Sequence, residues 1–408
     1  MELTWKFLVM LVFGSVVIQY IIIQSLTSTS FLMCPAPFNS SSAPFTAFKH
    51  KDQKGSMDED PNTTRRMHVL ILTATRCGSS FLGQLLNQHH NVFYLFEPLH
   101  HVQDSLTGEN FLRQLTLGAN RDLLWSLFQC DLYALERYMR PPPTNHMVAN
   151  LFNYRISQAL CQPPVCEGVK LGEEWSCNGC GQVNLTLAAQ ACRGKSHVVY
   201  KTVRVVVVGD VRSLLEDPRL NIKVIQLVRD PRGIINSRIE AFPGWYKPWY
   251  SWKTSGQRPP SLHVTPPFTT TCEELHSSVS TALSRPEWLK GRYMLVRYED
   301  LARNPLQKTK EIYNFVGLTM TPSVERWVSA NTKGANKEQN NNVYSTMRDS
   351  VANVENWRLK LPFEMVQHVQ AECQDMLSIM GYRQVHSAQE LKNMNISLVQ
   401  ETTFEPFL

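Results

Sequence analysis

Two arginines, each in a turn between an apolar run and a helix-forming run, are the residues of this chain best suited to chemistry. The first turn is Thr75-Arg76-Cys77-Gly78-Ser79-Ser80, between the strand-like Met67–Ala74 and the helical stretch Phe81–Leu86. Gly78 can take a backbone conformation closed to other residues, and Ser79 or Ser80 can cap the helix that follows. N–H groups freed at such a helix start face an anion together with the helix dipole, and Arg76 stands beside them. The nucleotide-loop pattern G-x-x-x-x-G-K-[ST] is absent. The second turn, Arg229-Asp230-Pro231-Arg232-Gly233, follows the strand-like Lys223–Val228 and leads into a helix through Ile234–Ser237. Here Pro231 is expected to stop the strand and Gly233 to turn the backbone. Ser237 lies one helical turn on, within reach of the same anion as Arg229. Ligands of α/β sheets gather beyond the carboxyl ends of the strands, so both turns should open on one crevice. Two anion sites in one crevice suit a ligand with phosphates at both ends.

The elements that must position these turns read as one α/β domain with a central parallel sheet. Asn91–Phe96 is the next strand, closing a β–α–β unit, and Glu97-Pro98 ends it with a carboxylate near Arg76. His197–Tyr200 is a strand that delivers Lys201 and Arg204 to the same edge, and Tyr293–Tyr298 is another. Glu299 and Asp300 are expected to cap the helix Pro305–Phe315 and to orient basic neighbours. Phe111–Tyr138 reads as a long helix outside the sheet, and Phe363–Met380 as a closing helix ended by Gly381. The Trp-rich segment Phe242–Pro260 has no clean period. Packing is its expected role, with stacking on sugar rings as the alternative. A cationic polar loop, Lys333–Lys337 with Asn340–Asn342, precedes Tyr344–Arg348 and is suited to closing over phosphates.

Thr-Arg-Cys-Gly-Ser-Ser-Phe, residues 75 to 81, resembles the 5′-phosphosulfate loop of Golgi carbohydrate sulfotransferases. Leu-Val-Arg-Asp-Pro-Arg-Gly with Ser237 is similar to their 3′-phosphate site. Further matches are Tyr94–Leu99, Lys201–Arg204, Leu295–Leu301 and the tail Arg348-Asp-Ser with Glu355–Arg358. The resemblance spans Met67 to Tyr382 and points to the group that sulfates 6-hydroxyls of galactose, N-acetylgalactosamine and N-acetylglucosamine, the keratan sulfate galactose enzymes in particular. It implies a P-loop-like sulfotransferase domain using 3′-phosphoadenosine 5′-phosphosulfate and needing no metal. Thr75, Arg76, Cys77, Gly78, Ser79, Ser80 and Phe81 would hold one end of the donor. Arg229, Asp230, Pro231, Arg232, Gly233 and Ser237 would hold the other. Arg76 and Lys201 would stabilise charge, and Glu97 would be the general base for a sugar hydroxyl. The implied acceptor is keratan sulfate or a lactosamine chain, with N-acetylglucosamine or chondroitin N-acetylgalactosamine as alternatives. Cys77 stands where that loop commonly carries Ser or Thr. A thiol is the weaker hydrogen-bond donor, so lower donor affinity is the expectation, and a catalytically weak, membrane-tethered glycan-binding protein is the alternative it favours. A nucleoside-triphosphate kinase or hydrolase ranks below both, because the loop lacks its Lys-Ser/Thr pair.

The formal charge of +6 on 408 residues, without basic runs, argues against nucleic acid as a partner and fits anionic small ligands. Phe7–Ile23 carries no charge and only a weak cleavage site, Ser28-Thr-Ser30, follows it, so it is expected to be a signal anchor, with a cleaved signal peptide as the alternative. The expected order is a cytoplasmic tail (1–6), a transmembrane anchor (7–26), a Ser/Thr/Pro-rich luminal stem (27–64) and the sulfotransferase domain (65–408), single-pass and type II in the Golgi membrane. Sequons at Asn39, Asn62, Asn184 and Asn395 are usable only with that side luminal. The ten cysteines include a cluster at Cys161, Cys166, Cys177, Cys180 and Cys192. Disulfides are the preferred reading over a zinc ribbon, which lacks a clear His ligand. Cys130, Cys272 and Cys373 are further pairing candidates, and Cys77 is expected to stay free. A homodimer is an assembly the sequence leaves open.

Overall fold

The apolar runs form one 5-stranded parallel sheet: β1 (Met67–Thr73), β2 (Val92–Phe96), β3 (His197–Thr202), β4 (Ile222–Val228) and β5 (Tyr293–Arg297), in the order β2-β3-β1-β4-β5. The computed structural model describes residues 66–407 apart from 107–112, 168–176, 178, 261, 263–267, 335–345 and 348. The Phe7–Ile23 run, the stem, Asn39, Asn62 and Arg348 lie outside the described residues, among which no helix is long and apolar enough to cross a membrane. Strands covered on both faces must be apolar almost throughout, and Val69 to Leu72 and Val224, Ile225, Leu227 and Val228 are fully buried. β1 takes the centre, pairing Ile71 with Lys201 on one side and with Ile225 on the other. The expected simple β–α–β unit is therefore wider than it reads. β3 inserts between β1 and β2, and β2 pairs only with β3, through Phe96 opposite Lys201.

Six helices matter for the site: α1 (Ser79–Asn87), α2 (Pro231–Ala241), α3 (Phe268–Leu283), α4 (Tyr298–Arg303), α5 (Pro322–Thr332) and α6 (Phe363–Glu372). Two expected long helices are broken, both at cysteines. Phe111–Tyr138 is a helix over Arg113–Phe128 and a separate helical turn over Leu132–Tyr138. Between them Cys130 takes φ 58° and is bonded to Cys192. The closing stretch divides at Cys373, between α6 and Gln374–Ile379, and Gly381 ends it with φ 69°. The apolar period of 3.6 runs through both breaks and gives no sign of them.

Disulfides join Cys130–Cys192, Cys161–Cys177, Cys166–Cys180 and Cys272–Cys373, and Cys77 is free and buried. Among the described residues no cluster of His, Cys, Asp and Glu is placed to hold a metal. The Cys272–Cys373 bond ties α3 to the end of α6 across a sequence separation of 101. Closing a loop of that length restricts the unfolded chain by about 4.7 kcal/mol in the chain-entropy account. Replacing both cysteines by Ser should lower stability by roughly that amount in urea unfolding; an unchanged midpoint would show that the bond does not form.

Candidate active site

Both arginine turns, and the ends of β2 and β3, open on one crevice of about 950 Å³. Thr75, Arg76, Gly78, Ser79, Ser80 and Phe81 line it from the first turn. Arg76 has φ 75° and Gly78 has φ 95°, so this loop needs the left-handed region twice within three residues. Gly78 has a second reason to lack a side chain: a Cβ there would lie 2.5 Å from the Tyr298 ring. Gly78 itself is the N-cap of α1, and no side chain caps the helix, contrary to the expectation for Ser79 or Ser80. The left-handed glycine takes the capping position and moves both serines inside the helix. The N–H groups of its first turn therefore lack a capping side chain at the crevice wall, the arrangement that favours an anion.

The second turn meets the first directly. Arg229 Nη1 donates to the Arg76 carbonyl at 3.1 Å, and Arg76 Nε donates to Ser237 Oγ at 3.1 Å. The Arg229 guanidinium lies 4.3 Å from the Tyr298 ring centroid, and its Nε is buried without a hydrogen-bond partner. Asp230, Pro231, Arg232 and Gly233 do not line the crevice. Asp230 caps α2 by accepting from Arg232 N, and Pro231 opens the helix rather than merely ending the strand. Gly233 is inside α2, so it does not turn the backbone. It leaves room for Arg229 Nε and Trp357 Cδ1, each 3.2 Å from where a Cβ would stand. Arg232 points away, paired to Asp230 at 2.7 Å and bonded to Gln370 and the Arg383 carbonyl. Cys77 also turns inward: its thiol is fully buried in the core, and burial pushes its pKa up. Its weak donor strength thus falls on the core, where Thr73 bonds it, and the feature favouring a non-catalytic reading is gone.

Glu97 follows β2 in the left-handed region, φ 52°, and is buried. Its Oε1 lies 2.6 Å from Lys201 Nζ and its Oε2 lies 2.5 Å from Arg204 Nη1, with Val203 N donating to Oε2 at 3.1 Å. Burial pushes the Lys201 ammonium pKa down, against the opposing pull of Glu97. The same ammonium lies 3.9 Å from the Phe96 ring centroid. His101 Nε2 accepts from Phe152 N at 3.2 Å, which brings Phe152 against the same wall, stacked on His100.

The sequence reading missed Arg238 and Tyr298 as crevice-lining residues and Glu299 as a support beneath the second turn. Arg238, next to Ser237, donates to the Thr75 carbonyl at 3.2 Å and to Thr271 Oγ1 at 3.0 Å, fixing the first loop from α2. Asp300 does orient a basic neighbour, Arg297, at 2.7 Å. Glu299 caps nothing; it accepts from Asp230 N at 3.0 Å and from Tyr382 O–H at 2.8 Å. The adjacent acids gave no sign of which faced inward.

The profile of the sulfotransferase domain matches residues 66–386. Carbohydrate sulfotransferase 1 of Danio rerio is 49% identical over 426 residues, covering 100% of both chains. Carbohydrate sulfotransferase 3 of Mus musculus is 43% identical over 346 residues, covering 82% of this chain and 72% of its own. Among solved structures, the sulfotransferase domain from the curacin biosynthetic pathway aligns with a TM-score of 0.39 and 15% identity, over 78% of this chain and 98% of its own.

Burial, and then the charge of Asp230, push the Glu299 carboxyl from 4.5 up to about 7. An acid whose pKa rises on folding binds its proton more tightly in the native state, so stability falls as pH rises between those values. Glu299→Gln should remove that slope. Relative to wild type, its stability should rise by on the order of 3 kcal/mol between about pH 4.5 and pH 8, at about 1.4 kcal/mol per pH unit. Unfolding of both proteins across that range measures the difference, and parallel curves would rule out Glu299 as the titrating group.

Proposed function

The chain belongs to the sulfotransferase-domain family and, within it, to the carbohydrate sulfotransferases, and from that membership we propose that it transfers a sulfuryl group from 3′-phosphoadenosine 5′-phosphosulfate to the 6-hydroxyl of galactose in keratan sulfate or related lactosamine chains. The observation that carries this reading is the pair of arginine turns on one crevice. Arg76 stands beside an uncapped helix start, and Arg229 keeps a buried, unpartnered Nε. Two such places suit a nucleotide charged at its 5′ and 3′ ends. Ser79 stands where a triphosphate loop would carry Lys, which favours this donor over ATP.

In the proposed step, Glu97 takes the proton of the sugar hydroxyl as its oxygen attacks sulfur. The S–O bond to the 5′-phosphate breaks, and adenosine 3′,5′-bisphosphate leaves with the electron pair. Arg76, Lys201 and the N–H groups at the start of α1 stabilise the charge that grows on that phosphate. Arg229 and Ser237 hold the 3′-phosphate, while Asp230, Pro231, Arg232 and Gly233 shape the turn that carries Arg229.

We further infer that residues 1–6 are cytoplasmic, 7–26 a signal anchor and 27–64 a stem, with the domain in the Golgi lumen. The disulfides support an oxidising compartment. Glycans are proposed at Asn39, Asn62, Asn184 and Asn395. Asn395 is exposed, whereas Asn184 is half-buried and its side chain caps the helix Leu185–Arg193.

A labelled-donor assay with keratan, lactosamine and chondroitin acceptors, followed by mapping of the label, tests the reaction. Label at galactose C6 is expected. Label on N-acetylglucosamine or N-acetylgalactosamine would change the acceptor, and donor binding without transfer would remove the enzymatic reading. Arg229→Ala or Ser237→Ala should weaken adenosine 3′,5′-bisphosphate far more than adenosine 5′-phosphate in calorimetry; equal losses would take the 3′-phosphate away from this turn. In a Glu97→Gln variant that still folds and binds donor, turnover should fall by roughly 10²–10⁴-fold. A folded Gln variant with near-normal turnover would exclude Glu97 as the base.

A further inference from the structure

The Trp-rich segment after α2 divides its tryptophans unequally. Trp249 and Trp252 are 4% and 1% exposed, so core packing accounts for them. Trp245 is 86% exposed and lines the crevice. A turn in which Trp245 N donates to the Phe242 carbonyl at 3.0 Å fixes its backbone. The Phe242 ring, in turn, lies 5.9 Å from the Arg76 guanidinium, so the exposed indole is one short turn from the loop that carries Arg76. An indole left in water at the rim of this crevice offers a flat apolar face with a polar edge, and no hydrogen bond or ring contact to its side chain is found among the described residues.

Other polar groups that line the crevice differ from those at the two arginine turns. Glu240, near the end of α2, is held by Lys253 at 3.0 Å and Lys360 at 3.1 Å, and Lys253 also donates to Asn236 Oδ1 at 2.8 Å. Asn236, Glu240 and Lys360 all face the crevice. Glu240 adds an acceptor to the crevice lining. Together with an amide and two ammonium groups, it gives the mixed donors and acceptors that hydroxyl groups require. Pyranose rings present this combination: one face of C–H groups that stacks on an aromatic ring, and hydroxyls around the edge.

We propose that Trp245, with Asn236, Glu240 and Lys360, forms a subsite for a pyranose ring of the acceptor chain, adjoining the sugar that receives the sulfuryl group. The subsite rests on the sulfuryl-transfer reading above and extends it from a single hydroxyl to a chain of sugars. Its continuity with the crevice lets one glycan cover both the reacting position and the indole.

The test compares wild type, Trp245→Ala and Trp245→Tyr with a lactosamine oligosaccharide as acceptor. Stacking of this kind is worth about one power of ten in affinity, or about 1.4 kcal/mol. The Ala variant should therefore raise KM for the oligosaccharide about tenfold, and Tyr should restore most of the loss. Calorimetry with adenosine 3′,5′-bisphosphate should give the same affinity for all three proteins. Saturation-transfer NMR of the oligosaccharide without donor should show contacts in wild type that weaken in the Ala variant. An unchanged KM and an unchanged NMR signal would overturn the subsite. A parallel loss of bisphosphate affinity would also overturn it, assigning Trp245 to the nucleotide. Binding seen by NMR in a wild type that transfers no sulfate would support the subsite while sinking the activity reading.

Discussion

The buried ion cluster of Glu97, Lys201 and Arg204 is the interaction on which the crevice depends. A lone carboxylate could not stay at the end of β2 with almost no exposure to water; removing one partner of such a pair costs about 3–5 kcal/mol. β2 and β3 pair in parallel with Phe96 opposite Lys201, so the next residue on one strand meets the cation of the other. Arg204, two residues beyond β3, closes the other oxygen. Sheet register thus sets the charge. Two cations against one carboxylate leave a positive excess at the carboxyl edge of the sheet, beside the uncapped start of α1, and that excess draws an anion into the crevice.

The strain near this cluster lies where the chain must leave the sheet abruptly. Arg76 and Glu97 both hold left-handed backbone angles outside glycine, a state that costs on the order of 1 kcal/mol or more each. Neighbours fix both. Arg238 binds the Thr75 carbonyl and Arg229 binds the Arg76 carbonyl, while Glu97 N donates to the Lys201 carbonyl at 2.9 Å. The second turn is itself anchored from below. Asp230 is held by Arg232 and Glu299, and these reach Gln370, Tyr382 and the Arg383 carbonyl near the C-terminus. The C-terminal part of the domain, cross-linked through Cys373, therefore braces the turn that carries Arg229.

The strands and the two turns were legible because a buried parallel strand is an unbroken apolar run, and a ligand-facing turn interrupts it with Gly, Ser and Arg. Arg76, Gly78, Arg229 and Ser237 were readable for this reason. Side-chain direction was not. Arg229 and Arg232 look equivalent in Arg-Asp-Pro-Arg, yet one lines the crevice and the other closes a buried network, because α2 begins at Pro231 and rotates Arg232 away. Cys77 was misjudged for the same reason, its position in the motif suggesting a contact that its inward orientation denies. The breaks at Cys130 and Cys373 coincide with residues bonded to distant cysteines, pairings that local periodicity does not report.

This division of labour bears on how one crevice could serve two unlike substrates. A sulfated nucleotide is recognised by charge, which acts over several ångströms and tolerates small displacements, so its binding groups can sit on turns of different strands. A sugar hydroxyl is neutral and must approach in one direction, so its recognition needs walls rather than charge. The Glu97 carboxylate, saturated by Lys201, Arg204 and Val203 N, cannot swing toward a misplaced hydroxyl. Phe152, held by His101, forms part of the crevice wall beside that carboxylate. If the proposed base role holds, a carboxylate fixed in this way makes the catalytic step sensitive to the pose of the sugar.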